Sequence, residues 1–310
     1  MVVAPDVLAL GEPMIEFNQT RDAGGRLYLQ GFGGDTSNFA VAAARQGARV
    51  GYVSMLGDDV YGGMLRAMWR EEGIDDSGVG SDADAFTAVY FVSHDASGHH
   101  FSFFRRGSAA SRMTPAQLPL AQIAAARVLH LSAISMAISE TARATCFAAI
   151  AAARGAGVQV SFDTNHRAAL WPRELAQATI SAAIGAADIC LPSFDDLAAI
   201  TGLDAPEAMI DHCLALGARI VALKHGGQGA WLADATQRIR MAPHPCRPVD
   251  ATGAGDVFGG AFVARIVAGD DLESAGRYAA AAAALSTEGY GAVDPIPHAA
   301  RVHAALAGTC

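Results

Sequence analysis

Short runs of apolar and β-branched residues recur along the chain, separated by alanine-rich stretches with apolar positions every three or four residues. The runs Val7 to Gly11, Arg49 to Leu56, Arg127 to Ser132, Val158 to Phe162, Ile189 to Leu191 and Ile220 to Leu223 read as strands. Between them, Ser37 to Gln46, Tyr61 to Glu72, Thr141 to Arg154 and Glu174 to Ile184 read as helices. Strands alternating with helices predict an α/β fold, a doubly wound and mostly parallel sheet covered by helices.

Two stretches break this rhythm. Met14 to Phe17 with Arg26 to Leu29, and Thr87 to Ser93 with His100 to Phe104, read as strand pairs joined by polar turns, with no helix between the partners. Their alternation of period two predicts a small antiparallel β lid from segments inserted at about residues 13–31 and 86–105; an extension of the main sheet is the alternative. No low-complexity linker separates the lid from the rest, so residues 1–310 are expected to form one folding unit.

At 310 residues the chain can bury a sizeable core. With 22 basic and 31 acidic residues its formal charge is −9, and Lys224 is the only lysine. That balance argues against a nucleic-acid or anionic-membrane partner, which needs clustered cations. An anionic substrate would have to be held by a few placed arginines. The cysteines Cys146, Cys190, Cys213, Cys246 and Cys310 are scattered and form no C-x-x-C pair, which reads as reduced thiols. Asp6 and Glu12 interrupt any signal-peptide core, and no apolar run approaches the roughly 20 residues of a membrane span. A soluble, cytoplasmic protein is the expectation.

The densest chemical signal is Val249-Asp250-Ala251-Thr252-Gly253-Ala254-Gly255-Asp256, followed by a helical run from Val257 to Val267. Glycines at 253 and 255 free the backbone to turn N–H groups toward one point, and the helix start adds its positive end there. An anion fits that point. Asp256 falls in the first helical turn, where the dipole favours a carboxylate, so it is expected to be ionised. A carboxylate beside an anion nest is a poor phosphate ligand, but it can take a proton from an incoming hydroxyl while the amides hold the transferring charge. A Gly-rich turn capped by an aspartate is the plain alternative.

The string is similar to the C-terminal signature D-T-x-G-A-G-D of the ribokinase-like (PfkB) carbohydrate kinases, with Ala251 in place of the usual threonine. The resemblance implies the ribokinase-like fold, Asp256 as catalytic base, and an anion hole built from the amides of Gly253, Ala254, Gly255 and Asp256. Gly33-Gly34-Asp35-Thr36-Ser37-Asn38, opening a helix, resembles the family's N-terminal motif. It implies that the sugar approaches the backbone at Gly33 and Gly34, with Asp35 and Asn38 recognising hydroxyls; a plain N-capped helix is the alternative.

Rival nucleotide motifs are missing. The chain has no G-x-x-x-x-G-K-[ST], H-E-x-x-H or G-x-S-x-G, and Gly78-Val79-Gly80-Ser81-Asp82-Ala83, a G-x-G-x-x-A variant, follows an acidic turn rather than a strand. His99-His100 reads as surface in a hairpin. Lys224-His225-Gly226-Gly227-Gln228-Gly229 follows an apolar strand and resembles the family's K-x-G-x-x-G element. The resemblance implies that Lys224, Gly226, Gly229, Thr252, Gly253 and Gly255 line ATP, joined by Asn165 and Ser193; a tight turn between two strands would look the same. Ser193-Phe194-Asp195-Asp196 stands where the family has N-x-x-E, which implies a second-shell role for Asp196 at Mg²⁺. The family also implies a monovalent cation such as K⁺ near the anion-hole loop, and dimers paired through the lid.

Within the family, Phe103-Phe104-Arg105-Arg106-Gly107-Ser108-Ala109 resembles the Y-Y-R-x-x-S-A stretch of 2-keto-3-deoxygluconate kinases. Asp163-Thr164-Asn165-His166-Arg167, with Leu170-Trp171 after it, matches their D-x-N-x-R-x-x-L-W. Arg105 and Arg167 are therefore expected to grip a sugar carboxylate, with the Tyr90 hydroxyl turned toward the sugar. Both tyrosines of Y-Y-R are phenylalanine here, and D-x-N-x-R also occurs in fructokinases, where Arg167 would serve ATP. The expected activity is ATP-dependent phosphorylation of 2-keto-3-deoxygluconate or a close sugar acid. A fructokinase or nucleoside kinase, and an idle sugar-binding regulator on the same fold, are the alternatives. Convergence of Arg105 and Arg167 on one end of the pocket would separate acid from neutral sugars.

Overall fold

The apolar runs assemble side by side into a nine-stranded sheet in the computed structural model, which describes residues 4–20, 25–95 and 98–308, with only the backbone of residues 98 and 99. In chain order the strands are β1 (Val7–Leu10), β2 (Met14–Gln19), β3 (Tyr28–Gly33), β4 (Val50–Gly57), β5 (Asp75–Asp82), β6 (Val89–Asp95) and β7 (Gly98–Phe104). They continue with β8 (Val128–Ser132), β9 (Gln159–Asp163), β10 (Ile189–Leu191), β11 (Ile220–Lys224), β12 (Ala230–Ala233) and β13 (Arg238–Met241). The large sheet runs β13-β12-β11-β10-β9-β8-β1-β4-β5, parallel from β11 to β5 and antiparallel at β12 and β13.

Strands β1, β4 and β8 are buried along their whole length, as expected of strands covered on both faces. On one face lie the helices Asp35–Arg45, Ala254–Ala268 and Leu272–Ser286, packed through Phe39, Phe262 and Ala279. Gly260 lets the first two approach, since a Cβ there would collide with the Phe39 carbonyl. Glu140–Gly155, Arg173–Ala186 and Pro206–Leu216 cover the other face through Ile150, Ile180 and Ile210. The four helices expected from the sequence are present, each within a few residues of its expected ends.

β5 was not foreseen. Its sequence Asp75–Asp82 is polar and holds Gly78 and Gly80, because it is an edge strand with one side toward solvent. The Arg66 guanidinium bonds the edge carbonyl of Val79 at 2.6 Å, which replaces the missing strand partner.

The lid is a four-stranded sheet ordered β3-β2-β6-β7. Each hairpin is antiparallel, as expected, and the two join through a parallel β2–β6 pair. Ile15, Phe17, Phe32 and Val89 tie the lid to the main core. The thiols of Cys146, Cys190, Cys213 and Cys246 are free, the first three buried, and Cys310 lies outside the described residues. The side chain of His99 lies outside them too; His100 is exposed and pairs with Asp95 at 3.0 Å. Among the described residues no helix is long and apolar enough to cross a membrane.

Candidate active site

Parallel strands place their carboxyl ends along one rim, and ligands of open α/β sheets bind there. Asp163 at the end of β9, Ser193 just past β10 and Lys224 at the end of β11 stand in a row on that rim. Lys224 Nζ lies 2.5 Å from Asp163 Oδ2, and Ser193 bridges to Lys224 through the backbone. A Cβ on Gly255 would sit 3.6 Å from the same Nζ. The only lysine therefore reaches the start of the helix Ala254–Ala268.

That helix opens on Gly253 in the left-handed region, φ 76°, a conformation glycine adopts without penalty. Among the described residues the N–H groups of Gly253, Gly255 and Asp256 donate to no protein acceptor. They are three of the four amides expected to face an anion. Ala254 departs from the expectation: its N–H bonds the Ala251 carbonyl at 3.2 Å, closing the turn. Thr252 departs as well, because its hydroxyl and N–H both donate to Asp250 Oδ1, at 2.6 and 2.9 Å. Asp250 Oδ2 takes the Gly291 N–H, so one aspartate ties the nest to the loop before Pro295.

Asp256 projects from the first turn and accepts a 2.8 Å bond from Asn38 Nδ2. The helix Asp35–Arg45 carries Asn38; its cap is Gly34, at φ 97°, where a Cβ would run into the Glu12 carbonyl. The other Asn38 atom, Oδ1, is buried with no partner among the described residues and can accept a hydroxyl. Asp35 receives a long 3.4 Å bond from Asn165. The expectation of an ionised Asp256 is corrected here. Burial first, then the carboxylates of Asp35 and Asp163, push it up to about 8, outweighing Asn38 and Lys224.

The remaining sites expected from the sequence divide. Gly33 lies against the Tyr90 ring, but the Tyr90 hydroxyl donates to Glu16 instead of pointing free into the cleft. Tyr90 is buried and its ionisation is raised well above the ordinary range by that burial and by Glu16. Ser193 caps the helix Phe194–Thr201, and Asp196 in its first turn takes a 3.4 Å bond from the Thr164 hydroxyl. Gly226 and Gly229 lie in the turn between β11 and β12, Gly226 exposed and Gly229 half-buried, with His225 N–H on the Gly229 carbonyl at 2.9 Å.

The arginine clamp is not present. Arg105 is drawn to Glu12, with Nε at 2.7 Å and Nη2 at 2.5 Å, and Ser108 also donates to that carboxylate. Glu12 is 1 % exposed, so the pair is sealed inside. Arg167 is exposed and, among the described residues, bonds only the neighbouring His166 carbonyl, at 2.9 Å. Glu12 and Glu16 were missed in the sequence, although two carboxylates in an otherwise apolar strand region are the signal that could have found them.

A half-buried carboxylate beside a group of unpaired amides, at the rim of a parallel sheet and under a β lid, defines a phosphotransferase type of site. The match to known proteins is specific. Residues 4–299 fit the family described as pfkB family carbohydrate kinase, and the chain belongs to that family. It is 36 % identical over 306 residues to Fructokinase-1 of Oryza sativa subsp. japonica, covering 94 % of each chain. It is 32 % identical over 298 residues to 2-dehydro-3-deoxygluconokinase of Thermoproteus tenax, covering 90 % of this chain and 87 % of that one. The crystal structure of fructokinase from Vibrio cholerae O395 in its fructose-, ADP- and calcium-bound form superposes with a TM-score of 0.87. It is 27 % identical, covering 97 % of this chain and 98 % of that one.

Proposed function

We propose that this protein transfers the terminal phosphoryl group of ATP to a hydroxyl of a neutral ketose, with fructose first among the acceptors. The observation that carries the kinase reading is Asp256, held by Asn38 beside the unpaired amides of Gly253, Gly255 and Asp256. The acceptor hydroxyl gives its proton to the Asp256 carboxylate as its oxygen bonds phosphorus, and the bond from phosphorus to the ADP oxygen breaks. The amides and Lys224 hold the charge on the moving group. Gly33, Gly34, Asp35 and Asn38 would seat the sugar, and closure of the lid would exclude water. The ADP and fructose in the Vibrio cholerae enzyme support this reading.

The donor set also suits magnesium carried on the nucleotide. Among the described residues no group of three metal-ligating side chains exists, so the ion would keep waters and phosphate oxygens, with Asp196 and the Thr164 hydroxyl facing its water shell. Bound there, it would neutralise phosphate charge. A lid-paired dimer belongs to the same reading. Tyr28 and Phe104, 41 % and 58 % exposed, flank Phe91 on the lid face opposite Glu16 and support it; sedimentation would test it.

Neutral sugars are favoured because Glu12 already neutralises Arg105 and Arg167 faces solvent. A second reading, a 2-keto-3-deoxygluconate kinase, draws on one observation: Arg105 Nη2, though close to Glu12, is buried without a well-aligned hydrogen bond. Coupled ADP-release assays with fructose, 2-keto-3-deoxygluconate, ribose and adenosine separate these readings, with Asp256→Asn as control. Fructose turnover lost in the variant supports the proposal; turnover of the sugar acid alone transfers it to the second reading; no ATP-dependent turnover of any sugar overturns both.

A further inference from the structure

The helix Asp35–Arg45 holds Asp256 from its first turn, through Asn38, and its last turn holds a loop. The Arg45 side chain is 10 % exposed, and its Nη1 donates to the carbonyls of Ile296 at 2.6 Å and Val293 at 3.1 Å, with Asp294 at a long 3.4 Å. Its Nε and Nη2 go to the two oxygens of Glu72, at 3.0 and 2.6 Å, just past the helix Val60–Glu71. Such a paired fork fixes the plane of the guanidinium and hence the direction of Nη1. The next residue, Gln46, donates to the Pro297 carbonyl at 2.7 Å and accepts from the Tyr278 hydroxyl at 2.8 Å. Residues 288–297 form no helix or strand, so these bonds set their path.

The other end of that loop reaches the phosphoryl side of the cleft. Gly291 N–H donates to Asp250 Oδ2 at 3.0 Å, while Asp250 Oδ1 holds Thr252, the residue before Gly253. The Ala292 carbonyl lies 3.2 Å from where a Cβ on Gly253 would stand, so the loop is the wall against which Gly253 turns. Gly260, packed on the Phe39 carbonyl, locks the helix Ala254–Ala268 to the helix Asp35–Arg45. The bonds close a ring: Asn38 to Asp256, Asp256 back along the chain to Asp250, Asp250 to Gly291, the loop to Arg45, and the helix back to Asn38. Arg45 stands about 10 Å from Asn38 along the helix axis, too far to act on the cleft except through this ring.

We propose that Arg45 is a positioning residue for phosphoryl transfer: by holding residues 293–296, with Glu72 aiming it, it keeps the link between Gly291 and Asp250 closed and the amides of Gly253, Gly255 and Asp256 set for the moving phosphoryl group. This rests on the kinase reading above and adds to it a residue outside the cleft. Without the guanidinium the loop carbonyls turn to water, the link opens, and the amides must be ordered during the reaction instead of before it. Donors set in advance act on the transition state, so the loss falls on kcat. Acceptor binding at Gly33, Gly34, Asp35 and Asn38 is left in place.

The test measures kcat and KM, with the parent's best acceptor, for Arg45→Met, Glu72→Gln, Asp250→Asn and the double variant Arg45→Met with Asp250→Asn, each shown to be folded by circular dichroism. Arg45→Met is expected to lower kcat about tenfold, short of the roughly hundredfold of a deleted donor because the amides are loosened and not removed, with the acceptor KM moving less than about twofold. Glu72→Gln should act in the same direction and by less. Asp250→Asn weakens the same link, so the double variant should be no slower than the slower single one, whereas independent effects would multiply. Hydrogen exchange of the segment 250–256, across the ring from Arg45, should quicken in Arg45→Met. An arginine that only stabilises the fold would lower the urea midpoint and leave both kcat and that exchange unmoved. That outcome, or multiplied losses in the double variant, overturns the inference and leaves the kinase reading standing. If Arg45→Met does not fold, the cycle of Glu72→Gln with Asp250→Asn decides in the same way. A parent that phosphorylates no sugar removes both.

Discussion

Replacing Asp256 by asparagine keeps the side chain's size and its capacity to accept from Asn38, but removes the negative charge. In the parent, burial and the carboxylates of Asp35 and Asp163 raise this group from 3.8 to about 8. The folded protein therefore holds a proton that the unfolded chain has lost between about pH 4 and pH 8. Stability contributed by Asp256 falls over that window as pH rises, by up to about 1.4 kcal/mol per unit, and levels off above about 8. Between pH 6 and pH 8 the loss integrates to about 2 kcal/mol; because Asp256 is open to the cleft on one side, this is an upper bound.

Asparagine carries no such dependence, so Asp256→Asn should unfold at higher urea than the parent, with an advantage that grows from pH 6 to pH 8. The same variant should lose phosphoryl transfer by a factor of about 10² to 10⁴, the usual range for removing a general base. In the parent, kcat/KM should rise with pH and flatten near 8, since only the ionised carboxylate accepts a proton. Urea melts of both proteins at pH 6, 7 and 8 decide the matter. A variant less stable than the parent at pH 8, or an advantage that does not grow with pH, refutes the claim that this carboxylate is held against its preference.

Arg105→Met leaves Glu12 buried with Ser108 but without its cation, and should cost about 3–5 kcal/mol in urea unfolding; a loss under about 1 kcal/mol would mean that the lid base does not depend on the pair. Lys224→Met does the same to Asp163, and its cost should shrink from pH 8 to pH 5 as Asp163, already raised by burial, takes up a proton. Gly253→Ala forces φ 76° on a residue with a Cβ, 3.2 Å from the Ala292 carbonyl, and should cost about 1–2 kcal/mol while lowering kcat. Circular dichroism melts paired with ADP-release rates check all three.

The fold was legible because its strands and helices obey separate periods, and because Val7–Leu10 and Val128–Ser132 are short runs rich in aliphatic residues, each led by a valine and buried throughout. β5 escaped, since an edge strand need not be apolar. The nest was legible from Gly253 and Gly255, whose backbone freedom is written in the residue type. What escaped at the site was pairing at long range. Nothing near Asn38 in the sequence points to Asp256, and nothing near Glu12 points to Arg105, 93 residues away.

The two errors over charge have a common origin. Local reasoning assigned Asp256 an ionised state because a helix start favours a carboxylate by about 0.3–1 kcal/mol. Enclosure with Asp35 and Asp163 opposes this with several times that energy, and it is set by strands and helices that meet only in the folded chain. Likewise Arg105 reads as a free cation in an acidic sequence until the fold brings Glu12 against it. With that arginine spent and Glu16 buried under the lid, the sugar side of the cleft is poor in positive charge. Under the neutral-ketose reading proposed above, no dedicated clash against acid sugars is needed: among the described residues an incoming carboxylate would lose its water and gain no free cation, whereas a hydroxyl would find the Asn38 carbonyl oxygen unpaired.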